Sequence, residues 1–360
     1  MISTTEQPNN NGHRQRQCSE GNAVAQNSVP AAAALDLCSG LGGISVAAQK
    51  LGLHIVAGVD VNVDALKTFS KNFSGARPIQ GSVRSKVVLK QCEKLLEPFK
   101  AAGKSTVILS GPPCQGFSAA GSRNPADRRN QVLVAVARAI SRLQPDCALI
   151  ENVSMLLASK HDDRVEKFEE VLNDGGFCVT HLVLDASEFG VSQKRKRAFF
   201  LVTQLPLDEQ DVIKRVESFK TSSVGAEEAL RGLPNAQVRP DDYDDEHDYG
   251  GIHNHFAMQH SPRVKKKIAA IDPGTGPMSY RRLHPTRLSN TLFSGHRAPP
   301  AHFKEPRSIT VREAARLQGF PDSFRVYGSF ANQMEQVTNA VPPPLAEAVL
   351  HVLIEAVGQS

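Results

Sequence analysis

Three clusters in the chain combine residue types and spacings that suit group-transfer chemistry. The first runs from Ser110 to Ser118 in the order Ser-Gly-Pro-Pro-Cys-Gln-Gly-Phe-Ser. Its two prolines stiffen the approach to Cys114, and Gly116 permits a sharp departure. A cysteine that follows a strand and faces a loop or helix start can be stabilised as a thiolate. We therefore predict that Cys114 is a nucleophile, and we interpret the other five cysteines as buried and inert.

The other two clusters would supply a proton and positive charge. Glu151 ends an apolar strand at the same predicted sheet edge as Cys114, and a partly desolvated carboxyl can hold or deliver a proton because its pKa is raised. In the segment 193–197, Gln-Lys-Arg-Lys-Arg, alternate residues of a strand share a face, so Arg195 and Arg197 should point the same way. Guanidinium groups suit a phosphate or a base carbonyl.

A glycine-rich turn follows the first predicted strand, in the order Asp36-Leu-Cys-Ser-Gly40-Leu-Gly42-Gly43. Such glycines let the backbone approach a ligand closely, and the next helix N-terminus favours polar groups there. Asp60 ends the second predicted strand, about 20 residues after Gly40, where a carboxylate accepts hydrogen bonds from ribose hydroxyls. Alone, this pattern fits an NAD enzyme, a methyl-donor site or a structural turn, and the spacing favours a cofactor that contains adenosine.

Strands that alternate with helices would position these clusters. The predicted strands are 31–37, 54–59, 106–109, 147–150, 177–184 and 198–203. The predicted helices are 44–51, 63–73, 132–143 and an apolar helix within 334–357. This alternation indicates a mostly parallel, doubly wound sheet that binds ligands at the carboxyl ends of its strands.

The chain changes character twice. Residues 1–30 are polar and are predicted to be a disordered tail. After Thr203 the alternation stops: residues 203–250 carry five basic and twelve acidic residues, a local charge of −7, and residues 251–330 carry thirteen basic and four acidic residues, a local charge of +9. We predict a catalytic domain of residues 31–202 and 331–357, and a smaller, loop-rich domain at 203–330.

Composition excludes several classes of protein. Apolar residues make up 40% of the 360 residues and charged residues 22%, which is typical of a globular chain. No run approaches the roughly 20 apolar residues of a membrane span, and the first 30 residues lack the apolar core of a signal peptide. The six cysteines form no CxxC pair, which favours a reducing cytoplasm over a disulfide scaffold. The net charge of +5 permits a nucleic-acid partner.

Taken together, the motifs resemble those of the DNA cytosine-5 methyltransferase family of bacterial type. The matching elements occur in family order over residues 35–350. They are the glycine-rich turn, Asp60, Pro113-Cys114-Gln115, Glu151-Asn152-Val153, Gln193 to Arg197, Thr310 to Pro321, and Asn339-Ala-Val-Pro-Pro343. Seven motifs in register are far more specific than any one of them.

The resemblance implies an α/β fold of the S-adenosylmethionine-dependent methyltransferase type, with a smaller target recognition domain. It implies transfer of a methyl group from S-adenosylmethionine to carbon 5 of a cytosine that is flipped out of a specific DNA sequence. The Cys114 thiolate would add to carbon 6, which makes carbon 5 nucleophilic. The stretch 118–131 resembles the mobile loop that closes over the flipped base.

Individual roles also follow from the resemblance. Glu151 would bind the N3 edge of the base, Arg197 its O2, and the Pro112 carbonyl its exocyclic amine, while Arg195 would support the loop that bears Cys114. The implied catalytic residues are Cys114, Gln115, Glu151, Arg195 and Arg197. The implied cofactor-binding residues are Asp36, Cys38, Gly40, Gly42, Gly43, Asp60, Val61, Ser82, Val83, Asn339 and Ala340. Cys38, Val61, Ser82 and Thr338 depart from the residues usual in the family.

The recognition domain would meet DNA through basic side chains. The predicted DNA-binding residues are Ser118, Arg263, Lys265, Lys266, Lys267, Arg281 and Arg282. His253, His255 and His260 suggest a metal by spacing alone, but a polar DNA-facing loop is preferred and no metal is predicted.

Four readings of the function remain for comparison with the structure. The leading one is a monomeric, cytoplasmic, nucleoid-associated enzyme that acts on double-stranded DNA, with a cognate restriction endonuclease as its functional partner. The alternatives are a tRNA cytosine-5 methyltransferase, a catalytically impaired DNA-binding relative, and an NAD oxidoreductase.

Overall fold

A computed structural model describes residues 32–113, 131–158, 163–240, 243–245, 252–277, 280–293 and 299–358. The predictions for the 1–30 tail, the loop at 118–130, Cys114, Gln115 and Ser118 lie outside the described residues.

A seven-stranded sheet forms the centre of the protein. Its strands are β1 (Ala32–Leu37), β2 (His54–Asp60), β3 (Arg77–Gln80), β4 (Ser105–Ser110), β5 (Cys147–Val153), β6 (Cys178–Asp185) and β7 (Lys196–Thr203). The strand order is β3-β2-β1-β4-β5-β7-β6, and β7 runs antiparallel to both of its neighbours. The mostly parallel, doubly wound sheet predicted from the sequence is confirmed.

Helices cover both faces of this sheet. The described helices are α1 (Gly43–Lys50), α2 (Val63–Asn72), α3 (Lys86–Ala101), α4 (Val132–Leu143), α5 (Met155–Ala158), α6 (Asp163–Asp174), α7 (Glu209–Glu217), α8 (Ala226–Ala229), α9 (Pro262–Ala269), α10 (Val311–Leu317), α11 (Phe330–Asn339) and α12 (Pro343–Gly358). One apolar core lies between the sheet and α1, α7 and α12, and a second between the sheet and α3, α4 and α6. The sheet is therefore buried on both sides, as a parallel sheet requires.

Two elements at the β3 edge escaped the sequence analysis. β3 has four residues, of which three are exposed, and it contains a proline, so it lacks the apolar run that marks a strand. α3 is a 16-residue amphipathic helix that begins after Ser85, whose hydroxyl accepts from the Val88 N–H. Both elements occupy the gap between the predicted second helix and the strand at 106–109.

The single apolar helix predicted within 334–357 is two helices, α11 and α12. Residues 340–342 separate them. Three consecutive prolines follow the end of α11: Pro342 is the last residue of the break, and the next two prolines are the first residues of α12. Proline is accommodated in a first turn but removes donors from a helix interior. By length and hydropathy alone 330–358 would cross a membrane, yet 61% of its most apolar window is buried inside the protein, as in a core helix.

The region at 204–329 has few regular elements. Besides short helices, its described residues form a two-stranded sheet of β8 (Gln237–Val238) and β9 (Phe256–Ala257). Val212 and Val216 of α7 share the apolar core of α12, so this part of the region packs directly on the catalytic sheet. The domain boundary at 203 remains a prediction.

Candidate active site

The glycine-rich turn lies where β1 ends and α1 begins, against the turn between α11 and α12. Gly42 has φ +97°, and a Cβ on it would meet the ring of Phe73 at 2.4 Å. A Cβ on Gly43 would lie 2.3 Å from the carbonyl oxygen of Val341. Only glycine fits at either position, so the sequence places these glycines for close packing as well as for a turn.

Asp60 joins the loops that follow β1 and β2. One carboxylate oxygen accepts from the Gly40 N–H at 2.8 Å and the other from the Asn62 N–H at 2.9 Å. Its backbone carbonyl accepts from the Gly81 N–H at 2.9 Å, which also attaches the loop after β3. The carboxylate predicted from the spacing to Gly40 therefore contacts Gly40 itself.

Asp36 is buried at the carboxyl end of β1. Its Oδ2 accepts from the Ser45 hydroxyl at 2.6 Å, and its Oδ1 has no hydrogen-bond partner among the described residues. Burial, and to a lesser extent the negative charge of Asp60, raise the pKa of Asp36 to about 7, against the opposing effect of the Ser45 hydrogen bond. A half-paired buried carboxylate next to a glycine turn suits a cationic or donor-rich ligand.

The remaining predicted cofactor residues surround this turn unevenly. Cys38 is half-buried, not fully buried as predicted, and lies in the left-handed region at φ 60°; desolvation, with the charges of Asp60 and Asp36, raises the pKa of its thiol. Val83 is buried, whereas Val61 is 67% exposed and Asn339 is also exposed. Ser82 accepts from the Arg84 N–H through its hydroxyl, so it caps a local turn.

Glu151 and Arg197 form a buried ion pair beside this turn. Arg197 Nε lies 2.7 Å from Glu151 Oε1, with side chains 13% and 8% exposed. The antiparallel pairing of β5 with β7 brings them together, since it opposes Val153 to Arg197. Burial raises the pKa of Glu151 even though Arg197 and Arg195 oppose the shift. The predicted proton-holding carboxyl therefore has the electrostatic setting that role requires.

Arg195 lies on the same side of the strand as Arg197, whereas Lys194 and Lys196 are exposed. Its Nη2 donates to the Ala340 carbonyl at 2.9 Å, and its Nε has no partner among the described residues. Burial lowers the pKa of Arg195. Arg195 thus connects the catalytic strand to the predicted cofactor residue Ala340.

The segment Gly111-Pro112-Pro113 leads from β4 toward Cys114 along the same edge. A Cβ on Gly111 would lie 3.9 Å from Glu151 Oε2 and 4.0 Å from the Cys38 carbonyl. The Pro112 carbonyl accepts from Asn152 Nδ2 at 3.2 Å. The sequence analysis did not assign this role to Asn152. The two residues are 40 positions apart and meet only when β4 and β5 pair.

The predicted DNA-binding residues fall into two groups. Arg263, Lys265, Lys266 and Lys267 are exposed on α9, and Lys267 Nζ lies 4.6 Å from the ring centroid of Tyr280. Arg282, in contrast, donates to the carbonyls of Ile271, Lys304 and His302 at 2.9 to 3.2 Å.

These contacts favour a structural role for Arg282. Arg281 is exposed and makes one long contact, at 3.4 Å, to a backbone carbonyl. The assignment of all these residues to DNA remains a prediction.

Two of the histidines at 253–260 bond to other groups of the protein. His255 bonds through its ring nitrogens to the Thr310 hydroxyl and the Pro234 carbonyl, each at 2.9 Å, and His260 Nε2 accepts from the Ser308 N–H. No cluster of three metal-ligating side chains occurs within the described ranges.

Sequence reasoning also missed what the motif at 310–321 does. Thr310 and Glu313 form a capping box for α10, a pattern visible as Thr-x-x-Glu. Arg312 is buried and donates to the carbonyls of His253, Pro321 and Phe324. The motif therefore holds parts of the region at 204–329 together.

The strand order with its antiparallel β7, the glycine turn after β1 and the carboxylate at the end of β2 define the class of S-adenosylmethionine-dependent methyltransferases. A family model of the C-5 cytosine-specific DNA methylases matches residues 32–355. The chain belongs to this family.

Individual relatives agree. Type II methyltransferase M.XorII of Xanthomonas oryzae pv. oryzae is 29% identical over 362 residues, 88% of this chain and 82% of its own. Type II methyltransferase M1.HphI of Haemophilus parahaemolyticus is 29% identical over 338 residues, 89% of this chain and 86% of its own.

Solved structures agree on the fold. A prophage-encoded protein of E. coli, assigned as a DNA modification methyltransferase, has a TM-score of 0.72 at 26% identity and covers 91% of this chain and 99% of its own. The S. pombe Dnmt2 methyltransferase, at 16% identity and a TM-score of 0.62, covers 90% of this chain and 98% of its own and shows the fold alone.

The enzyme is thus a DNA cytosine-5 methyltransferase, and S-adenosylmethionine is its methyl donor. DNA is its substrate. The tRNA, non-catalytic and NAD-dependent alternatives are not favoured.

Proposed function

We propose that the enzyme methylates a flipped cytosine at the carboxyl edge of β1, β4 and β5. The residues predicted from the sequence carry out the reaction there. The observation that carries this proposal is the buried Glu151–Arg197 pair beside the segment that leads into Cys114. Both side chains emerge from the sheet, and they are held by strand pairing rather than by loops.

Cys114 supplies the nucleophile. Its thiolate bonds to carbon 6 of the cytosine, and the electron pair displaced from the 5,6 double bond makes carbon 5 able to attack the donated methyl group. Carbon 5 then loses its proton, the double bond re-forms, and the Cys114–carbon 6 bond breaks with release of the thiolate. The base reaches Cys114 only after it has left the duplex.

Glu151 and Arg197 stabilise the adduct. A carboxyl whose pKa is raised by burial keeps a proton for N3 of the ring, where charge develops when the thiolate adds. Arg197 Nε holds Glu151, and the Arg197 guanidinium also faces the base O2, a contact carried over from the family. The two residues therefore work as one unit, and removal of either should impair the same step.

The glycine turn fits the methyl donor. S-adenosylmethionine supplies a methyl group on a positively charged sulfur. Asp36, with one buried carboxylate oxygen unpartnered among the described residues, would face its cationic methionine end. Asp60 would accept from the ribose, and Ser82, Val83, Asn339 and Ala340 would complete the pocket, with Ser82 in place of the usual acid.

The region at 203–330 would recognise the DNA sequence, with α9 on the phosphates. We further propose that the enzyme acts as a monomer at the nucleoid and forms half of a restriction–modification pair with a cognate endonuclease. The names of the Type II relatives support that pairing.

The direct test is methyl transfer from labelled donor to duplex DNA and, side by side, to tRNA. The wild-type protein should label DNA, and Cys114→Ser should not. Equal labelling by both proteins, or labelling of tRNA alone, would contradict the proposal. Bisulfite sequencing of a host that expresses the wild-type protein would then report the target sequence.

A further inference from the structure

The parallel pairing of β4 with β5 stops just before the segment that leads to Cys114. The last paired residues are Ser110 and Ile150, so a continued register would place Pro112 opposite Asn152. Proline has no backbone N–H, and the backbone of Asn152 already pairs with Ala198 of β7. The buried Pro112 carbonyl therefore needs a donor from outside the strand ladder.

The Asn152 side chain is that donor. Its Nδ2 donates to the Pro112 carbonyl at 3.2 Å, and its Oδ1 accepts from the Val153 N–H at 2.8 Å. Because the nitrogen only donates and the oxygen only accepts, these two partners fix the direction in which the amide faces. Asn152 is 3% exposed, so water does not compete for the bond.

As far as the described residues show, this contact leaves acceptor capacity on the Pro112 carbonyl. A carbonyl oxygen has two lone pairs, and Asn152 uses one of them. A Cβ on Gly111, next to Pro112, would lie 3.9 Å from Glu151 Oε2, so the carbonyl is on the edge that also carries the Glu151–Arg197 pair. Cys114 follows two residues later.

We propose that Asn152 is a positioning residue that fixes the Pro112 carbonyl to accept from the exocyclic amine of the target base. Asn152 thereby contributes to the choice of cytosine over a pyrimidine without that amine. This inference rests on the proposed function, in which Pro112 meets the amine. A site built to accept from an amino group discriminates strongly against analogues that lack it, provided that the acceptor is held in place.

The test compares two duplexes that carry the target sequence mapped by bisulfite sequencing. One holds cytosine at the target position, and the other holds 2-pyrimidinone, which lacks the exocyclic amine but can still be attacked at carbon 6. Single-turnover methyl transfer is measured for wild type, Asn152→Ala and Asn152→Asp. Asn152→Asp keeps the acceptor for the Val153 N–H but replaces the donor to Pro112 with a repelling oxygen.

The chain offers a matched control at Asn72. Its Nδ2 donates to the Thr68 and Arg325 carbonyls at 2.7 Å, and its Oδ1 accepts from the Arg325 N–H at 3.0 Å, which repeats the bonding of Asn152 outside the site. Asn72→Asp therefore makes the same chemical change without touching Pro112.

Both Asn152 variants should transfer to cytosine about 10- to 100-fold more slowly, and to 2-pyrimidinone less than about threefold more slowly. The ratio of the two rates should stay at the wild-type value in Asn72→Asp. An equal loss on both duplexes, or an unchanged ratio, would show that Asn152 is merely structural and would overturn the inference.

Each variant is also checked by its thermal midpoint, and Asn152→Ala carries the test if Asn152→Asp does not fold. Absence of transfer by the wild-type protein would instead refute the proposed function, so the two failures are distinguishable.

Discussion

Among the described residues, two carboxylate–arginine pairs are well buried, one at the carboxyl edge of the sheet and one in the region at 204–329, and the pKa values of their carboxyls are shifted in opposite directions. Within the described part of the chain, Glu151 is paired through Oε1 with Arg197 Nε at 2.7 Å. Glu313 receives two parallel bonds from Arg307, at 2.7 and 2.8 Å, and a third from the Thr310 N–H at 2.7 Å. The pKa of Glu151 is raised by burial, whereas the pKa of Glu313 is lowered.

The number of donors explains the difference. Burial would raise the pKa of either carboxyl, but the paired bonds and charge of Arg307, with the Thr310 N–H, overcome it at Glu313. At Glu151 a single guanidinium contact leaves burial dominant. A buried ion pair mainly stabilises the fold when both carboxylate oxygens have hydrogen-bond donors. When donors are few, the carboxyl can still bind or release a proton.

The largest effect should come from the unsaturated pair. Glu151→Gln removes the proton for N3 and should slow methyl transfer by about 10²- to 10⁴-fold. The free energy of unfolding should fall, because Arg197 stays buried without its negative partner, but by less than at Glu313, since the new amide oxygen can still accept from Arg197 Nε. Single-turnover kinetics and urea unfolding measure the two quantities. A variant that loses stability but keeps its rate would reverse the roles assigned to the two pairs.

The saturated pair should show the opposite pattern. Glu313→Ala leaves Arg307 buried without its main partner and should lower the free energy of unfolding by about 3–5 kcal/mol. The rate per correctly folded molecule should stay within about threefold of wild type. Urea unfolding measures this loss. An unchanged midpoint would show that the pair at Glu313 does not stabilise the fold.

Asp36 provides a third test, because it is another buried carboxylate with too few donors. Its folded-state pKa of about 7 lies above the ordinary aspartate value of 3.8, so its contribution to stability is fully present below the ordinary value and is lost as pH rises through 7. Asp36→Asn should remove this loss, which is at most about 4 kcal/mol between pH 4 and pH 8 in the ligand-free protein.

Ser45→Ala is the informative partner for that measurement. It removes the hydroxyl that stabilises the Asp36 carboxylate, so it should raise the pKa of Asp36 further and extend the fall in stability to higher pH. Parallel stability curves for wild type, Asp36→Asn and Ser45→Ala between pH 4 and pH 8 would contradict this reading of Asp36.

We expect the smallest effects at two kinds of basic residue in the region at 204–329. Some are exposed, and others donate all their hydrogen bonds within the protein. Lys265→Ala on α9 should weaken DNA binding a few-fold and reduce the slope of log affinity against log salt by about 1. Arg282→Ala should leave that slope unchanged and lower stability by about 1–3 kcal/mol, since its guanidinium donates to three carbonyls. If Arg282 instead carried the salt dependence, it would be a phosphate ligand.

Much of the site was predictable because its residues follow strands with strong patterns. Apolar runs marked β1, β2, β4 and β5, and the carboxyl ends of parallel strands meet at one edge, so Glu151, Asp60 and the glycine turn could be brought together from spacing alone. β3 was missed because its four mostly exposed residues give no apolar run.

The sequence by itself determined the family, the order of the motifs and the alternation that buries Arg195 and exposes Lys194 and Lys196, since these depend on residue identity and on the period of a strand. Only the tertiary structure decided which polar groups are saturated. The sequence does not distinguish Arg282 from Arg197. In the structure Arg282 donates to three backbone carbonyls, whereas Arg197 pairs with a carboxylate oxygen of Glu151 and donates to the carbonyl of Lys196. Hydrogen bonding and desolvation depend on neighbours brought together from distant parts of the chain, and those neighbours set the pKa of a buried charge.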